Sequence, residues 1–345
     1  MASVRSQPGL SIIIPVSRER EVFDCLFSVC KQNIDKNCFE VILVCKDARI
    51  FNQQNWDLNL TTLEADVLHA ATRRNRGVEA SKGKFLAFLD DDTIVPPDWV
   101  SNVIDNLQNH PKSIIGGLNF DKRSETRFFL ANALQANIFA EGLVCHRPIQ
   151  KDYIECSFAS IPLCNLAFAR ELFTKIGGFN EKADHYVDDT EFCYIASKLG
   201  YNFLLFKNLE IQHNVRPVFK SYFRRQAHGR FHTGMNFIIF PECYIHPLQV
   251  KLVLLSFILG PLLLFTLSAS QLIYLMIFYL LILLVASLKY LYRPVLFLLF
   301  LPSIFLVHVN AYLSFVSGMT CGIFLRSHFK EVIEHKKQRY AVFQS

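Results

Sequence analysis

Two long stretches of the chain contain no charged side chain, and they constrain the fold more than any other feature. No Asp, Glu, Lys or Arg occurs from Leu252 to Leu288 or from Pro294 to Leu325. A helix needs roughly 20 apolar residues to cross the hydrocarbon core of a bilayer. Charge-free runs of this length are rare outside membranes. The sequence therefore predicts C-terminal transmembrane helices, and the alternative is a buried helical core in a soluble protein.

The first charge-free stretch is long enough for two short spans. Polar residues from Ser268 to Gln271 interrupt it. This interruption predicts a tight hairpin with spans at about 252–267 and 272–288 and a connection on the outer side of the membrane.

The second charge-free stretch predicts a different geometry. The apolar segment 295–325 is too long for one ordinary span, and the tail at 326–345 is basic. Because positive charge marks the cytoplasmic side of a membrane, we expect a re-entrant or in-plane hairpin that turns near Asn310. The C-terminus would then be cytoplasmic.

A basic segment precedes the first apolar stretch. The net charge of the chain is +6, and between Asn214 and Lys251 only Glu242 opposes the basic residues. This position favours contact with anionic lipid head groups on the cytoplasmic side, although a solvated basic helix has the same composition. No nucleic-acid-binding module accompanies the charge, so nucleic acid is not a predicted partner. The basic residues are Arg216, Lys220, Arg224, Arg225, Arg230 and Lys251.

The N-terminus and the cysteines both predict that the N-terminal part of the chain is cytoplasmic. The apolar run Leu10–Val16 is short, contains Pro15 and has no small-residue cleavage site after it, which does not fit a signal peptide. The 10 cysteines form no CxxC pair, so free thiols in a reducing compartment are expected. Together with the apolar segments, this predicts a multi-pass protein of the inner (plasma) membrane.

The N-terminal part, up to about residue 213, alternates between strand and helix patterns. Leu10–Pro15, Val41–Cys45 and Phe85–Leu89 are short apolar strands, and Val22–Cys30 has helical spacing. Such alternation predicts an α/β fold with an open, mostly parallel sheet. Sheets of this type bind ligands at the carboxyl ends of their strands.

The middle of the chain is less regular. Residues 120–160 are interpreted as an insertion that shapes an acceptor site. A strand at Leu163–Phe168 and helices at Arg170–Ile176 and Thr190–Leu199 follow. Gly177 comes directly after the first of these helices and is a typical helix stop.

Three consecutive aspartates follow the strand Phe85–Leu89. Repulsion among Asp90, Asp91 and Asp92 has to be offset by a cation or by strong hydrogen-bond donors. Carboxylate oxygens suit Mg²⁺ or Mn²⁺, which commonly bridge a protein to phosphate oxygens. A solvated acidic turn or a helix cap is the alternative for this segment taken alone.

Several further segments stand in a recognisable order with these aspartates. The segments are LSIIIPV at 10–16, RNRG at 74–77, FLAFLDDD at 85–92, NLAFAR at 165–170, GGFNE at 177–181 and DDTEFCYIASKLGY at 188–201. Together they resemble the family 2 glycosyltransferases of the GT-A fold over about residues 8–232. Their order and separations are far more specific than any single motif.

The resemblance implies an inverting, single-displacement transfer of a sugar from a nucleotide-sugar donor. By the motif match, Asp189 is the base that takes the acceptor proton, and Asp188 stands where the family usually has Glu. Asp92 is the main ligand of Mg²⁺ or Mn²⁺, and Asp90 contacts the metal or the ribose. His213 is a further candidate metal or diphosphate contact, and a histidine without a ligand is the alternative.

The resemblance also places residues around the donor and the acceptor. Asn165 is the candidate acceptor contact. For the three arginines among the donor candidates, a role facing the membrane is an equal alternative. The donor-binding candidates are Pro15, Asp47, Arg74, Asn75, Asp90, Asp91, Arg224, Arg225 and Arg230.

Two departures from the family pattern affect the predicted substrate. Cys45-Lys46-Asp47 stands where the family often has Asp-Asp or Asp-Asn, and a thiol is a weak acceptor for a base imide. Either Asp47 substitutes or the nucleotide is held differently. Gln226–Phe231 lacks the Gln-x-x-Arg-Trp motif of processive synthases, which favours transfer of a single sugar.

The sequence thus predicts a GT-A catalytic domain at 1–232, a basic juxtamembrane linker at 233–251, a transmembrane region at 252–325 and a basic cytoplasmic tail at 326–345. The predicted acceptor is a glycan or a lipid-linked sugar at the cytoplasmic membrane face, with membrane lipids as further partners. A processive polysaccharide synthase and a membrane scaffold with a vestigial sugar-binding domain are the alternatives.

Overall fold

The computed structural model describes residues 8–17, 19–66, 69–120, 151–158, 161–182, 188–213, 219–243, 266–288 and 294–343. The chain divides into two compact units. The first unit contains residues 1–122, 144–214 and 331–345, and the second contains residues 123–143 and 215–330.

The first unit is built on an eight-stranded sheet with the order β3-β2-β1-β4-β9-β6-β10-β8. The pairs β3/β2, β2/β1, β1/β4 and β6/β10 are parallel, and the remaining three pairs are antiparallel. A second sheet has three strands in the order β5-β11-β7. The strands are β1 Leu10–Pro15, β2 Phe39–Cys45, β3 Leu60–Glu64, β4 Phe85–Leu89, β5 Thr93–Ile94, β6 Ser113–Gly116, β7 Asn119–Phe120, β8 Tyr153–Glu155, β9 Asn165–Ala169, β10 Asn202–Phe206 and β11 Ile211–His213.

Helices connect the strands and continue beyond them. The helices are α1 Val22–Cys30, α2 Arg49–Asn52, α3 Ala70–Ala80, α4 Trp99–Asn109, α5 Arg170–Ile176, α6 Asp188–Lys198, α7 Phe219–Ile239, α8 Ala269–Ser287, α9 Pro294–Phe324 and α10 Lys330–Tyr340. The predicted strands and helices of the N-terminal part are confirmed, with boundaries that shift by a few residues.

The central strands are apolar because the sheet is covered on both faces. Every residue of β1, β2 and β4 is buried. One buried cluster packs α1 and α4 on one face, and another packs α5 and α6 on the other. This arrangement explains why these strands read as mostly apolar runs rather than alternating ones, with Ser11 and Glu40 as the hydroxyl and charged exceptions, and it confirms the predicted mostly parallel α/β sheet.

The strand order reverses direction at β1. The chain moves from β1 to β2 and β3 on one side, and then returns to place β4 on the other side of β1. In open α/β sheets, the crevice at such a switch point is the usual ligand site. The three aspartates follow β4 and therefore lie at this position.

The segment between α3 and β4 is held by two charged residues, the half-buried Arg170 and the buried Glu40. The guanidinium of Arg170 donates to the carbonyl oxygens of Gly83 at 2.6 Å and Val78 at 3.2 Å. The Glu40 carboxylate accepts from the Ser11 hydroxyl at 2.7 Å and from the Gly83 amide at 3.2 Å. These contacts fix the start of β4, and with it the position of the aspartates at its end.

The second unit pairs α7 with α9 at very short range. A Cβ atom on Gly318 would overlap the carbonyl oxygen of Phe231, and one on Gly234 would overlap that of Phe315. The Asn310 side chain donates to the carbonyl oxygen of Phe223 at 3.2 Å. Close approach through small residues is typical of helix pairs that pack without a hydrophobic driving force.

Helix α9 corrects one prediction about the C-terminal region. It runs without interruption from Pro294 to Phe324 and includes Pro302, so the predicted hairpin turn near Asn310 is wrong. The side-chain nitrogen of Asn310 donates to the carbonyl oxygen of Phe223 on α7, and it does not stabilise a turn. Among the described residues, the segment Phe305–Phe324 is the single one long and apolar enough, by length and composition, to cross a bilayer.

The other predicted spans are represented only in part. Helix α8 covers the region of the second predicted span, and its apolar segment Ala269–Leu281 is shorter than a span. Most of 252–267 lies outside the described residues, as do Lys251, Lys289 and Arg293. The described residues do not support a multi-pass arrangement.

The division into units differs from the predicted domain boundaries in two places. The middle segment of the first unit ends at Asn214, and residues 219–232 belong to α7 of the second unit, so the predicted end of the catalytic domain at residue 232 stays a prediction. Residues 331–345 return to the first unit, where Tyr340 packs in the core. The predicted basic tail is therefore in large part a structural element of the first unit. Most of the predicted insertion at 120–160 lies outside the described residues.

We expect Gly83→Ala to destabilise the first unit. Its Cβ would come within 2.6 Å of the backbone nitrogen of Ser11. Because a backbone atom cannot swing aside, the cost is about 1–3 kcal/mol, the usual range for overpacking. Thermal unfolding of the purified protein measures it.

Gly9→Ala is the matched control, since its Cβ would meet its nearest neighbour, the Cys38 carbonyl oxygen, at an ordinary 3.4 Å. Equal melting temperatures for the two variants would contradict the close approach at Gly83.

Candidate active site

The three aspartates after β4 point to three different partners. Oδ2 of Asp91 accepts from the backbone nitrogen and the hydroxyl of Ser17, at 2.6 and 2.9 Å. Oδ1 of Asp92 lies 3.0 Å from Nε2 of His213. Oδ1 of Asp90 lies 3.4 Å from a guanidinium nitrogen of Arg74. Separate partners for adjacent carboxylates offset their mutual repulsion.

The small sheet brings His213 to Asp92. Strand β11 pairs antiparallel with β5, in a register that places His213 opposite Thr93. Thr93 follows Asp92 directly, and its hydroxyl donates to the carbonyl oxygen of Asp90 at 2.8 Å. A residue far along the chain is thereby positioned beside the predicted metal ligand.

The site contains two groups of candidate metal ligands. Ligand atoms of Asp90, Cys164 and His213 lie within 4.8 Å of one another, and so do those of Glu21, Asp91 and Asp92.

The Cys164 thiol is a poor candidate ligand. Burial, together with the charges of Asp90 and Asp92, raises its pKa well above the usual value. A protonated thiol does not bind metal well.

The remaining candidate ligands have oxygen and nitrogen atoms that fit a divalent cation. Asp90 and Asp92 offer carboxylate oxygens, and His213 offers an imidazole nitrogen beside them. Asp92 is only 3% exposed, and a buried carboxylate is favoured by a neighbouring positive charge. This donor set fits Mg²⁺ or Mn²⁺ held by Asp92 and Asp90 with His213 next to them.

Arg74 joins the aspartates after β4 to the first turn of α6. Its guanidinium lies 3.4 Å from Asp90 and 3.2 Å from Oδ2 of Asp188. The side chain is 9% exposed, so both contacts are sheltered from water. Arg74 therefore connects the candidate metal ligands with the segment that carries the predicted base.

Asn75, the next residue of α3, holds the loop after α5. Its side-chain oxygen accepts from the Phe179 amide at 2.9 Å, and its nitrogen donates to the Phe179 carbonyl oxygen at 2.9 Å. The same nitrogen contacts Glu181 at 2.6 Å. These contacts give Asn75 a structural role, while the donor contact predicted for it stays a prediction.

Asp188 and Asp189 form the first turn of α6 rather than preceding it. Oδ1 of Asp189 accepts from the backbone nitrogen of Thr190 at 2.7 Å and lies 3.2 Å from the Thr190 hydroxyl. Burial, reinforced by the charge of Asp188, raises the pKa of Asp189 to about 6, while the charge of Arg74 opposes the rise. A carboxylate with a pKa near 6 is suited to act as a general base close to neutral pH.

The structure does not support the acceptor contact predicted for Asn165. The side chain is 1% exposed. Its oxygen accepts from the indole nitrogen of Trp99 at 3.2 Å, and its nitrogen donates to the Leu209 carbonyl oxygen at 2.8 Å. With both ends of the amide engaged in the core, Asn165 has a structural role on β9, while the acceptor contact predicted for it stays a prediction.

Cys45 stands at the end of β2, where the family often has Asp, and its surroundings suit a thiol. Cys45 is buried, its thiol lies 3.7 Å from the Leu63 carbonyl oxygen, and burial raises its pKa to about 11. Asp47 is paired with the exposed Arg49 at 2.7 Å. The contact predicted between Asp47 and the donor base stays a prediction.

The remaining donor candidates are in two places. Pro15 is buried at the carboxyl end of β1, beside the switch point of the sheet. Arg224 and Arg230 lie on α7 in the second unit, and the side chain of Arg225 lies outside the described part of the chain. Their predicted roles at the diphosphate stay predictions.

Sequence reasoning missed Ser17 and Glu21 at this site. Both lie just after β1, where the switch point of the sheet brings them to the aspartates. Polar residues that follow the first strand of an α/β sheet are a usable signal for such a position.

Comparison with known proteins identifies the family. A family model described as glycosyl transferase family group 2 matches residues 85–315, which is more than half of the chain. The chain belongs to this family, and its fold is GT-A-like.

Individual relatives agree with this assignment. An uncharacterized glycosyltransferase of Haemophilus influenzae is 29% identical over 182 residues, which cover 50% of this chain and 56% of the relative. Glycosyltransferase AglE of Haloferax volcanii is 30% identical over 119 residues, which cover 32% of this chain and 39% of the relative. The chain therefore spans about half or less of the length of these relatives.

One solved structure shares the fold along most of the chain. Mannosyltransferase PcManGT from Pyrobaculum calidifontis, in complex with GDP-Man and Mn²⁺, superposes with a TM-score of 0.60 at 15% identity. The match covers 92% of this chain and 87% of that protein. At this identity, the likeness concerns the fold.

We expect Asp92→Asn to weaken Mn²⁺ binding by about tenfold or more, because it removes a ligand charge while keeping the shape of a buried side chain. Calorimetric titration of the purified protein with Mn²⁺ measures the change.

Asp105→Asn on the exposed face of α4 is the control for the loss of one negative charge. An Asp92→Asn protein that binds Mn²⁺ as tightly as this control would show that Asp92 is not a ligand.

Proposed function

We propose that the enzyme transfers a single sugar from a nucleotide-sugar donor to a glycan or lipid-linked acceptor, with inversion at the anomeric carbon. The observation that carries the proposal is the bridge made by Arg74 between Asp90 and Asp188. One side chain spans the distance between the candidate metal ligands and the turn that contains the candidate base. A donor diphosphate and an acceptor hydroxyl need this proximity to react.

In the proposed reaction, the carboxylate of Asp189 takes the proton of the acceptor hydroxyl. The hydroxyl oxygen attacks the anomeric carbon, and the bond from that carbon to the diphosphate oxygen breaks. The electron pair of this bond leaves with the nucleoside diphosphate. Asp92 and Asp90, with His213 beside them, would hold a divalent cation, which would supply positive charge for the diphosphate.

Arg74 has a second consequence for the proposed base. It pairs with Asp188 at 3.2 Å, which leaves Asp189 without a direct cationic partner among the contacts described above. Burial and the charge of Asp188 raise the pKa of Asp189, and the charge of Arg74 opposes the rise without cancelling it. A carboxylate with this pKa is basic enough to accept a proton close to neutral pH.

The donor and the metal are supported by the fold shared with PcManGT, whose structure contains GDP-Man and Mn²⁺. Screening a panel of nucleotide sugars for Mn²⁺-dependent hydrolysis identifies the donor.

We expect Asp189→Asn to reduce transfer by roughly 100-fold or more, the usual contribution of a positioned base, with nearly unchanged donor binding. Asn keeps the size of the side chain and caps a helix about as well as Asp, so a purely structural role predicts almost no change. Initial rates and calorimetry with the donor found in the screen measure both quantities.

The pH profile is a second readout of the same prediction. Transfer should fall as the pH drops through about 6, because Asp189 then gains a proton. Asp188→Asn removes the charge that raises this pKa, and it should shift the acidic limb to lower pH with a milder loss of rate. An Asp189→Asn enzyme within a few-fold of the wild-type rate rules out the base assignment.

We propose further that the second unit associates with a membrane. Helices α8 and α9 expose large apolar side chains, including Tyr274 at 71%, Leu298 at 70% and Phe324 at 79%. Many exposed large apolar side chains on one pair of helices are typical of membrane or protein contacts. The basic residues of α7 are suited to anionic head groups beside such a surface.

The fold of the first unit limits the possible topologies. Residues 8–213 and 331–343 belong to one compact unit, so both must lie on the same side of any membrane. If α9 crosses the bilayer, a second crossing is required between residues 214 and 293. If α9 lies in the membrane plane, no crossing is required.

Both alternatives predict that the N- and C-termini lie on the same side of the membrane, which we propose is the cytoplasmic side. Fluorescent and phosphatase reporters fused in turn to each terminus test this. Termini on opposite sides would contradict the assignment of 331–343 to the first unit.

A further inference from the structure

Arg339, near the end of α10, is buried between two elements of the first unit. Its Nε lies 3.4 Å from Oε2 of Glu191 on α6. Nη2 donates to the carbonyl oxygen of Gly178 at 2.8 Å, and Nη1 lies 3.4 Å from that of Gly177. One guanidinium therefore contacts both α6 and the loop after α5.

The partner charge is fully enclosed. Glu191 is 0% exposed, and burial raises its pKa while the charge of Arg339 opposes the rise. A buried carboxylate whose partner is removed is left with an uncompensated charge, which is strongly destabilising. Glu191 and Arg339 therefore depend on each other for their positions.

The two elements that Arg339 joins also border the proposed base. Glu191 follows Asp189 by two residues on α6. Gly178 precedes Phe179, whose backbone exchanges two hydrogen bonds with Asn75, the neighbour of Arg74. Arg339 thus contacts the helix that carries Asp189 and the loop that α3 holds in place.

Other contacts keep α10 in this position. Nδ1 of His335 lies 3.0 Å from Oδ1 of Asn180, and Lys182 pairs with Glu331. Tyr340 is buried, and its ring lies 5.4 Å from that of Tyr194 on α6. The helix is anchored along its length, so Arg339 is held in place from both sides.

We propose that Arg339 is a positioning residue, which fixes α6 and the loop after α5 so that Asp189 is held at its place beside Asp188 and Arg74. The inference rests on the proposed function of Asp189. It gives the C-terminal segment a role in catalysis, although none of its residues touches the reacting atoms. Misplacement of a catalytic group by about 1 Å is enough to reduce a rate by up to 100-fold.

The test compares Arg339→Met with Lys337→Met in the full-length protein. Lys337 lies on the same helix, is 67% exposed and contacts only Glu334 among the ion pairs described, so its variant removes the same charge without touching α6. With the donor found in the screen, Arg339→Met should lower kcat by about tenfold or more and leave the donor KM within about twofold. Lys337→Met should match the wild type.

Amide hydrogen exchange provides a readout that does not depend on activity. Residues 188–198 and 177–182 should exchange faster in Arg339→Met than in Lys337→Met. If thermal melting shows that Arg339→Met is unfolded, Arg339→Lys replaces it. Lysine keeps the charge but cannot reach Glu191 and both carbonyl oxygens at once, so kcat should fall several-fold.

The outcomes separate the two proposals. A kcat for the folded Arg339 variant that equals that of Lys337→Met overturns the positioning role. If the wild-type protein turns over no nucleotide sugar, the proposed function fails, and exchange alone decides whether Arg339 fixes α6. Unchanged exchange in residues 188–198 would then overturn the inference as well.

Discussion

Repulsion among the three consecutive carboxylates Asp90–Asp92 is the constraint on which the rest of the site depends. The end of a buried strand does not tolerate three adjacent negative charges unless each has its own partner. The structure meets this requirement with Ser17 from the loop after β1, His213 from the small sheet and Arg74 from α3. Three separate parts of the chain therefore converge on one point at the switch in strand order.

Arg74 extends the same electrostatic arrangement to the proposed base. It shares its charge between Asp90 and Asp188, and this sharing couples the metal side of the site to the first turn of α6. Asp189 is left with a raised pKa because burial and the charge of Asp188 outweigh the more distant guanidinium. A single arginine thus connects the candidate metal ligands to the turn that carries the proposed base.

Buried charge also determines the role of the C-terminal segment. The enclosed carboxylate of Glu191 is paired with Arg339. Arg339 belongs to residues 331–345, which follow the second unit in sequence and are part of the first unit. Residues 331–345 therefore have a structural function in the first unit, which their basic composition does not indicate. Their place in the first unit also requires the two ends of the chain to share one side of any membrane.

The sequence by itself determined the strands, the mostly parallel sheet and the position of the aspartates, because apolar runs and the carboxylates after them are local signals. It also identified the family through the order of its motifs. The tertiary structure decided that Asn165 is a core residue, that α9 is continuous at Asn310 and that Arg339 meets Glu191. Each of these depends on a partner distant in sequence, and the pairing of a polar group with a remote partner leaves no pattern in the local residues.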